Sequence, residues 1–159
     1  MQRLLVDGPG GPASIGLYAA GLAVALGAAR VLYVDDPDRL TVATALGAEV
    51  EEDPTRRKVG AFPVTVNAGG REAHLRCALN STASDGVCTN VAVLFEDPAL
   101  PLFQMYSRCC TRHTGRAHAR PYIPAILDLV ASGRFDPTIV TSSVEALSDP
   151  PMKLVVSRP

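Results

Sequence analysis

Tryptophan is absent, aromatic residues make up only 5% of the chain, and neither sign of charge dominates: 15 Lys and Arg stand against 16 Asp and Glu, for a net of -1. The balanced charge argues against binding driven by neutralising a phosphate backbone, and the shortage of aromatics removes the usual stacking platforms for single strands. Nucleic acid is therefore not an expected partner. No apolar run reaches the roughly 20 residues of a membrane span; the longest candidate is Leu17 to Ala29. A secretory leader needs a basic start, an apolar middle and a small-residue cleavage site. Arg3 followed directly by Leu4, Leu5, Val6 and Asp7 does not fit that pattern, so no membrane and a cytoplasmic location are expected. Cys77, Cys88, Cys109 and Cys110 show no CxxC spacing, and an adjacent Cys109–Cys110 pair is poor geometry for a shared zinc. They read as buried free thiols. His74, His113 and His118 are scattered and read as surface or hydrogen-bonded histidines rather than ligands, so no metal is expected.

What is present is hydrophobic material in a regular alternation. With 159 residues, 47% of them hydrophobic, the chain is long enough for one self-supporting domain. Arg3–Val6 reads as a strand and Gly8–Pro12 as a turn. Ser14 can cap a helix running to about Ala28, apolar nearly all round as a helix packed on a sheet is. Val31–Val34 is a second, continuously apolar strand of the parallel kind. Asp36 followed by Pro37 starts a helix that ends near Gly47, and residues 48–50 resume a strand. Residues 52–61, with Arg56, Arg57 and Lys58, form a polar loop. Phe62–Val66 is a fourth strand, with a helix to about Asn80 after Gly70 and a turn at Ser84-Asp85-Gly86. Val87–Phe95 is a fifth strand, Pro98 opens a helix toward Ser107, and Cys109–Thr114 is a sixth strand. Helical spacing of Ile123, Ile126, Leu127 and Val130 fills Tyr122–Ser132, and Gly133 ends it. Strands alternating with helices imply an α/β fold: a doubly wound, mostly parallel six-stranded sheet in a three-layer αβα arrangement.

The first strand-to-helix turn is the most informative place. The best register for a G-x-G-x-x-G fingerprint is Gly11, Ala13 and Gly16, with alanine in the middle and Ser14 and Ile15 between. Such a turn lets the backbone approach a pyrophosphate and aim N–H groups and a helix dipole at it. Asp35 follows the second strand, 19 residues after Gly16, where an acid accepts from the ribose hydroxyls of an adenosine and repels a 2′-phosphate. Its simpler alternative is to cap the next helix, a part better suited to Asp36. The expected ligand is a dinucleotide, NAD in preference to NADP.

The run Gly16–Val31, then Val34-Asp35-Asp36-Pro37-Asp38-Arg39-Leu40, then Ala45-Leu46-Gly47-Ala48-Glu49 resembles the Rossmann-type cofactor domain of zinc-type alcohol dehydrogenases, the medium-chain dehydrogenases and reductases. Phe62–Gly69, Gly86–Leu94 and Ala131–Pro137 followed by Val140-Thr141 resemble later parts of the same domain. The resemblance implies that Gly11–Gly16 hold the pyrophosphate, Asp35 the adenosine ribose, and Ala68 and Gly69 border the adenosine. It places Leu94 and Phe95, at the end of the fifth strand, and Gly115 and Arg116, after the sixth, near the nicotinamide. Asn67 stands where the family often has an acid. The resemblance also implies a catalytic domain, which is not recognisable here: no catalytic-zinc ligand set and no four-cysteine zinc lobe is found. Residues 1–141 are thus expected to form the dinucleotide-binding domain and 142–159 a shortened tail with a last strand at 152–157. Hydride transfer would need a separate catalytic subunit, and the sixth-strand edge is the expected homodimer contact. A non-catalytic dinucleotide-binding or dimerisation protein is the alternative. An adenosylmethionine-dependent methyltransferase is a third reading, from the faint echo of its glycine loop in Val6–Gly10.

Overall fold

The computed structural model describes residues 3–8, 13–52 and 56–141. The expected last strand at 152–157 and Gly11 lie outside these residues. The elements run β1 (Arg3–Asp7), α1 (Ala13–Ala25), β2 (Arg30–Val34), α2 (Pro37–Ala45), β3 (Glu49–Glu51), β4 (Phe62–Asn67), α3 (Glu72–Ser81), β5 (Thr82–Asn90), α4 (Leu102–Ser107), β6 (Thr111–Thr114) and α5 (Ile123–Ala131). Among the described residues the strands form one six-stranded sheet in the order β3-β2-β1-β4-β5-β6, and every pairing is parallel. The chain winds outward from β1 in one direction, then returns to β4 and winds outward in the other. The carboxyl ends of β1 and β4 are therefore where the winding reverses, the place at which such sheets open a crevice. This is an α/β, Rossmann-like fold.

Side-chain alternation sends Val6, Tyr33 and Val66 to one face of the sheet, where they join a core with Leu17, Ala20, Ala43, Leu46 and Leu129 from α1, α2 and α5. α1 is apolar on all sides because it is covered twice. The sheet lies beneath it, while Phe135 and Val140 close over its outer side. A Cβ on Gly21 would stand 2.9 Å from the Phe135 ring, so the small residue is what lets that cover approach. The opposite face is covered by α3. Leu5, Leu32 and Val34 pack there with Phe62 and Cys77, and Leu75, Ala78, Leu79 and Cys88 form a neighbouring cluster that Met105 joins. Arg108, at the end of α4, ties that helix to α3. Its guanidinium donates to the carbonyls of Asn80 (2.8 Å), Thr82 (2.7 Å) and Leu79 (3.2 Å), where α3 gives way to β5.

Several boundaries differ from the sequence reading. Helix α1 starts at Ala13, so Ser14 sits inside its first turn rather than capping it. Asp36 does hold the N-cap backbone position of α2, but its side chain makes no capping bond. The turn expected at residues 84–86 is a bulge within β5. Thr82 already pairs with Phe62, and Val87 with Val64, so residues 83–86 loop out of the ladder. Gly86 is required there, since a Cβ would meet the Ala83 and Pro63 carbonyl oxygens at 2.8 and 2.9 Å. β5 ends at Asn90, not Phe95. The Asn90 amide turns back to donate to the Ala92 carbonyl at 3.0 Å, pulling the chain off the sheet. Leu94 and Phe95 therefore belong to the connection after the strand. Helix α4 begins only after the second of two prolines, Pro101. The cysteines are free but not uniformly buried: Cys77 and Cys88 are, Cys110 is half-buried and Cys109 is exposed.

Candidate functional site

At the carboxyl ends of β1 and β2, three side chains and two backbone groups close tightly on one another. Tyr33 and Asp35 are two residues apart in an extended segment, so they emerge on the same face. Both are fully buried. The Tyr33 hydroxyl donates to Asp35 Oδ2, and the Asp36 backbone N–H donates to Asp35 Oδ1 at 2.8 Å. Arg39, one turn along α2, brings Nη1 to both carboxylate oxygens at 3.3 and 3.2 Å and to the Gly8 carbonyl at 3.3 Å. Burial, and after it the bond to Asp35, hold the Tyr33 phenol well above its ordinary pKa, so it stays a donor at every physiological pH.

The glycines around this group are explained by it. A Cβ on Gly8 would stand 2.5 Å from Asp35 Oδ2 and 2.9 Å from the Tyr33 hydroxyl. One on Gly16 would stand 3.3 Å from the Tyr33 ring and 3.4 Å from Ala68. Gly16, Asp35 and Ala68, singled out from the sequence, are thus brought together with Tyr33 as the piece that fits between them. Gly69 follows, also buried. Ile15 is exposed and Ser14 half-buried in the first turn of α1. Ala13 begins the same helix.

Across the point of reversal, the in-register residues Asn67, Asn90 and Thr114 end β4, β5 and β6. Asn67 Nδ2 donates to Asn90 Oδ1 at 2.6 Å, and Asn90 Nδ2 in turn reaches Thr114 Oγ1 at 3.2 Å. Asn67 Oδ1 has no partner among the described residues although the residue is fully buried. A buried acceptor left open costs about 1–3 kcal/mol, so a donor supplied from outside would be favoured there. Asn90, the partner of Asn67, lines an open cleft of about 660 Å³ with Leu94, Arg112, Gly115 and Arg116 among others. Leu94, Gly115 and Arg116 are therefore together. Phe95 is not with them: its ring is 96% exposed.

Tyr33, Arg39, Gly8 and Asn90 were not picked out as site residues from the sequence. Two had a signal. Tyr33 shares the face of Asp35 by strand periodicity, and Arg39 stands four residues after it, the spacing of side-chain pairs on a helix. Asn90 had none, because its alignment with Asn67 depends on the bulge in β5. Among the described residues no group of three or more His, Cys, Asp or Glu is placed to hold a metal ion. His74 lies buried in α3, while His113 and His118 are exposed.

No protein-family model and no curated protein matches the sequence. Solved structures do. An alcohol dehydrogenase from Thermus sp. ATN1 is 32% identical, with a TM-score of 0.79 over 90% of this chain and 45% of that one. A 2R,3R-butanediol dehydrogenase from Bacillus subtilis is 25% identical, with a TM-score of 0.76 over 87% of this chain and 42% of that one. An acetophenone reductase from Geotrichum candidum, solved in complex with NAD, is 19% identical, with a TM-score of 0.74 over 91% of this chain and 41% of that one. The chain spans less than half the length of each, and over that span it has the α/β fold of alcohol dehydrogenase-like oxidoreductases.

Proposed function

We propose that the chain binds NAD(H) across the carboxyl ends of its strands and serves as the coenzyme half of an alcohol dehydrogenase-like oxidoreductase. The observation that carries this reading is the convergence, at the reversal between β1 and β4, of Gly8, Gly16, Ala68 and the Asp35 carboxylate with the open Asn67 acceptor beyond them. A small-residue floor, an acid after β2 and a cleft at the ends of β5 and β6 suit an elongated polar ligand laid over the carboxyl ends of the strands. Gly11, Ala13, Ser14, Ile15 and Gly16 would hold the pyrophosphate, Asp35 the adenosine ribose beside Ala68 and Gly69, and Leu94, Gly115 and Arg116 the nicotinamide end. Phe95 would contribute only by turning inward. NAD found in the acetophenone reductase of the same fold supports the choice of cofactor.

The nicotinamide, when bound, supplies the hydride chemistry. This chain's residues supply placement. The Asn67–Asn90–Thr114 hydrogen bonds would hold Asn90 and Thr114 in place in the cleft lining, and α3 covers the strands from one side. The catalytic groups would come from a separate subunit or domain. Four free thiols suit a reducing compartment, in keeping with a cytoplasmic site of action. Among the described residues β6 ends the sheet with an unpaired edge, and Leu102, Phe103 and Tyr106 on α4 are exposed. A second copy pairing edge to edge would satisfy the backbone and cover that apolar surface.

The test is a titration with NADH, followed by its own fluorescence and by calorimetry. Saturable binding without turnover of added alcohols would support the reading. No heat and no fluorescence change up to about 1 mM, the weak limit of specific sites, would reject it.

A further inference from the structure

We infer that the cleft at the ends of β5 and β6 is a carboxylate site, in which Arg112 and Thr114 hold the acid group of a small hydroxy acid or oxo acid. The anion site stands on its own geometry. That its occupant is the compound presented to the nicotinamide rests on the proposed dinucleotide site.

Arg112 and Cys88 are in-register neighbours on β6 and β5, so their side chains leave the sheet on one face. Cys88 clusters there with Leu75 and Leu79 of α3. Arg112 stands one strand further out and is half-buried. Its Nε is buried and has no hydrogen-bond partner among the described residues. None of the ion pairs among those residues involves Arg112 or Arg116. A buried donor left open on a charged group is costly, and an acceptor entering the cleft would remove that cost. The second donor is set by the chain of bonds that starts on β4. Asn67 Nδ2 donates to Asn90 Oδ1, and Asn90 Nδ2 donates to Thr114 Oγ1. Both links run in one direction, so the Thr114 oxygen already accepts and its O–H is left to donate. Thr114 follows Arg112 by two residues on the strand, which puts both on one face, and both line the cleft.

A guanidinium and a hydroxyl donor side by side suit an anion with two oxygens in one plane, and the flat fork of arginine matches a carboxylate in that way. The charge of the lining narrows the choice further. Glu96 and Asp97 line the same cleft as Arg112 and Arg116. Two acids against two cations repel a doubly charged phosphate more than a singly charged carboxylate. At about 660 Å³ the cleft falls in the size range of small-molecule sites, with room for a small acid beside a nicotinamide ring.

The test is a titration of the full chain with isotope-labelled arginine, followed at the Nε–H resonance of Arg112, which is identified by its loss in Arg112→Lys. Glycolate should move that resonance saturably with a Kd of about 1–10 mM, and inorganic phosphate at matched ionic strength should bind about threefold more weakly or worse. Ethylene glycol, the uncharged counterpart of glycolate, should leave it still. Thr114→Val should weaken glycolate by about tenfold and Thr114→Ser should restore it, the effect of one hydrogen bond to a charged group. An Arg112 resonance unmoved by glycolate, phosphate bound as tightly as glycolate, or a Thr114→Val chain that binds glycolate as the wild type does would overturn the carboxylate site. Repeating the titration with NADH separates the two readings. Glycolate held at Arg112 alongside bound NADH supports the substrate assignment, whereas displacement of glycolate by NADH would give Arg112 to the coenzyme and overturn it. Glycolate binding to a chain that takes no NADH would reject the dinucleotide reading, and the substrate assignment with it, and leave the anion site standing.

Discussion

The wing of the sheet built from β1, β2 and β3 is closed over itself, whereas the wing ending in β6 is not. On the first, α1 is covered on both sides, and even the charged group at the strand ends, Asp35, is sealed by three donors. On the second, no residue of α4 is buried, and Phe103 and Tyr106 are 76% and 83% exposed. Both wings draw on the same apolar residue types. What differs, among the described residues, is whether a second layer lies over the helix. Among the described residues, the contrast shows where apolar side chains are left uncovered.

The sharpest way to break this comparison is to truncate one side chain in each kind of surrounding. Leu79→Ala, at a fully buried position in α3, should cost about 2–5 kcal/mol in urea unfolding. Phe103→Ser and Tyr106→Ser should stay within about 0.5 kcal/mol for the monomer while shifting any dimer toward monomer in sedimentation. A cost like that of Leu79→Ala at Phe103 would show that α4 is packed after all. Next in size is Gly8→Ala, which drives a methyl into Asp35 and Tyr33 and should lower stability by about 1–3 kcal/mol.

Tyr33→Phe should cost somewhat less, about 1–2 kcal/mol at neutral pH, by removing a donor from a buried carboxylate. It also carries a pH signature. The Tyr33 pKa is raised on folding, so the unfolded chain releases this proton first. Its stabilisation is complete below the ordinary tyrosine value and fades as pH climbs above about 10. Wild-type melting temperature should fall through that range more steeply than that of the phenylalanine variant. The smallest effect belongs to the open wing. Glu72 accepts from the Ala99 N–H at 3.1 Å and from Arg76 at 2.6 Å, in that order of influence, and its carboxyl lies below the usual range. Depression on folding means stability present above the unfolded value and lost as pH falls through the folded one. Glu72→Gln should thus be slightly less stable than wild type at neutral pH and indistinguishable from it in strong acid, by thermal melts at the two pH values.

Much of the fold was legible because it rests on patterns that local sequence carries. Continuous apolar strands, an all-round apolar helix and the Asp36-Pro37 start each follow from local physics, and they located β1, β2, α1 and α2 to within a few residues. The misses came where a nonlocal bond decides. Val91–Phe95 is as apolar as a strand, yet the Asn90 amide bends the chain away before it. The 84–86 turn was real, but its neighbours still pair with β4 on both sides, which only the partner strand determines. Gly16, Asp35 and Ala68, which the structure brings together, could be singled out because each occupies a position fixed by the topology. Arg39 and Tyr33 were passed over because their effect lies in the contact with Asp35, and a lone arginine or tyrosine in a sequence does not announce its partner.

The central claim is that a nicotinamide dinucleotide lies over the carboxyl ends of the strands, from Gly8 to Arg116. Amide chemical-shift mapping of the isotope-labelled chain during an NADH titration tests it most directly. The account predicts saturable shifts at Gly8, Gly16, Ala68, Gly69, Asn90 and Gly115, with the opposite sheet edge near Arg30 and Phe62 silent. Shifts confined to that opposite edge, or none at all, would contradict it.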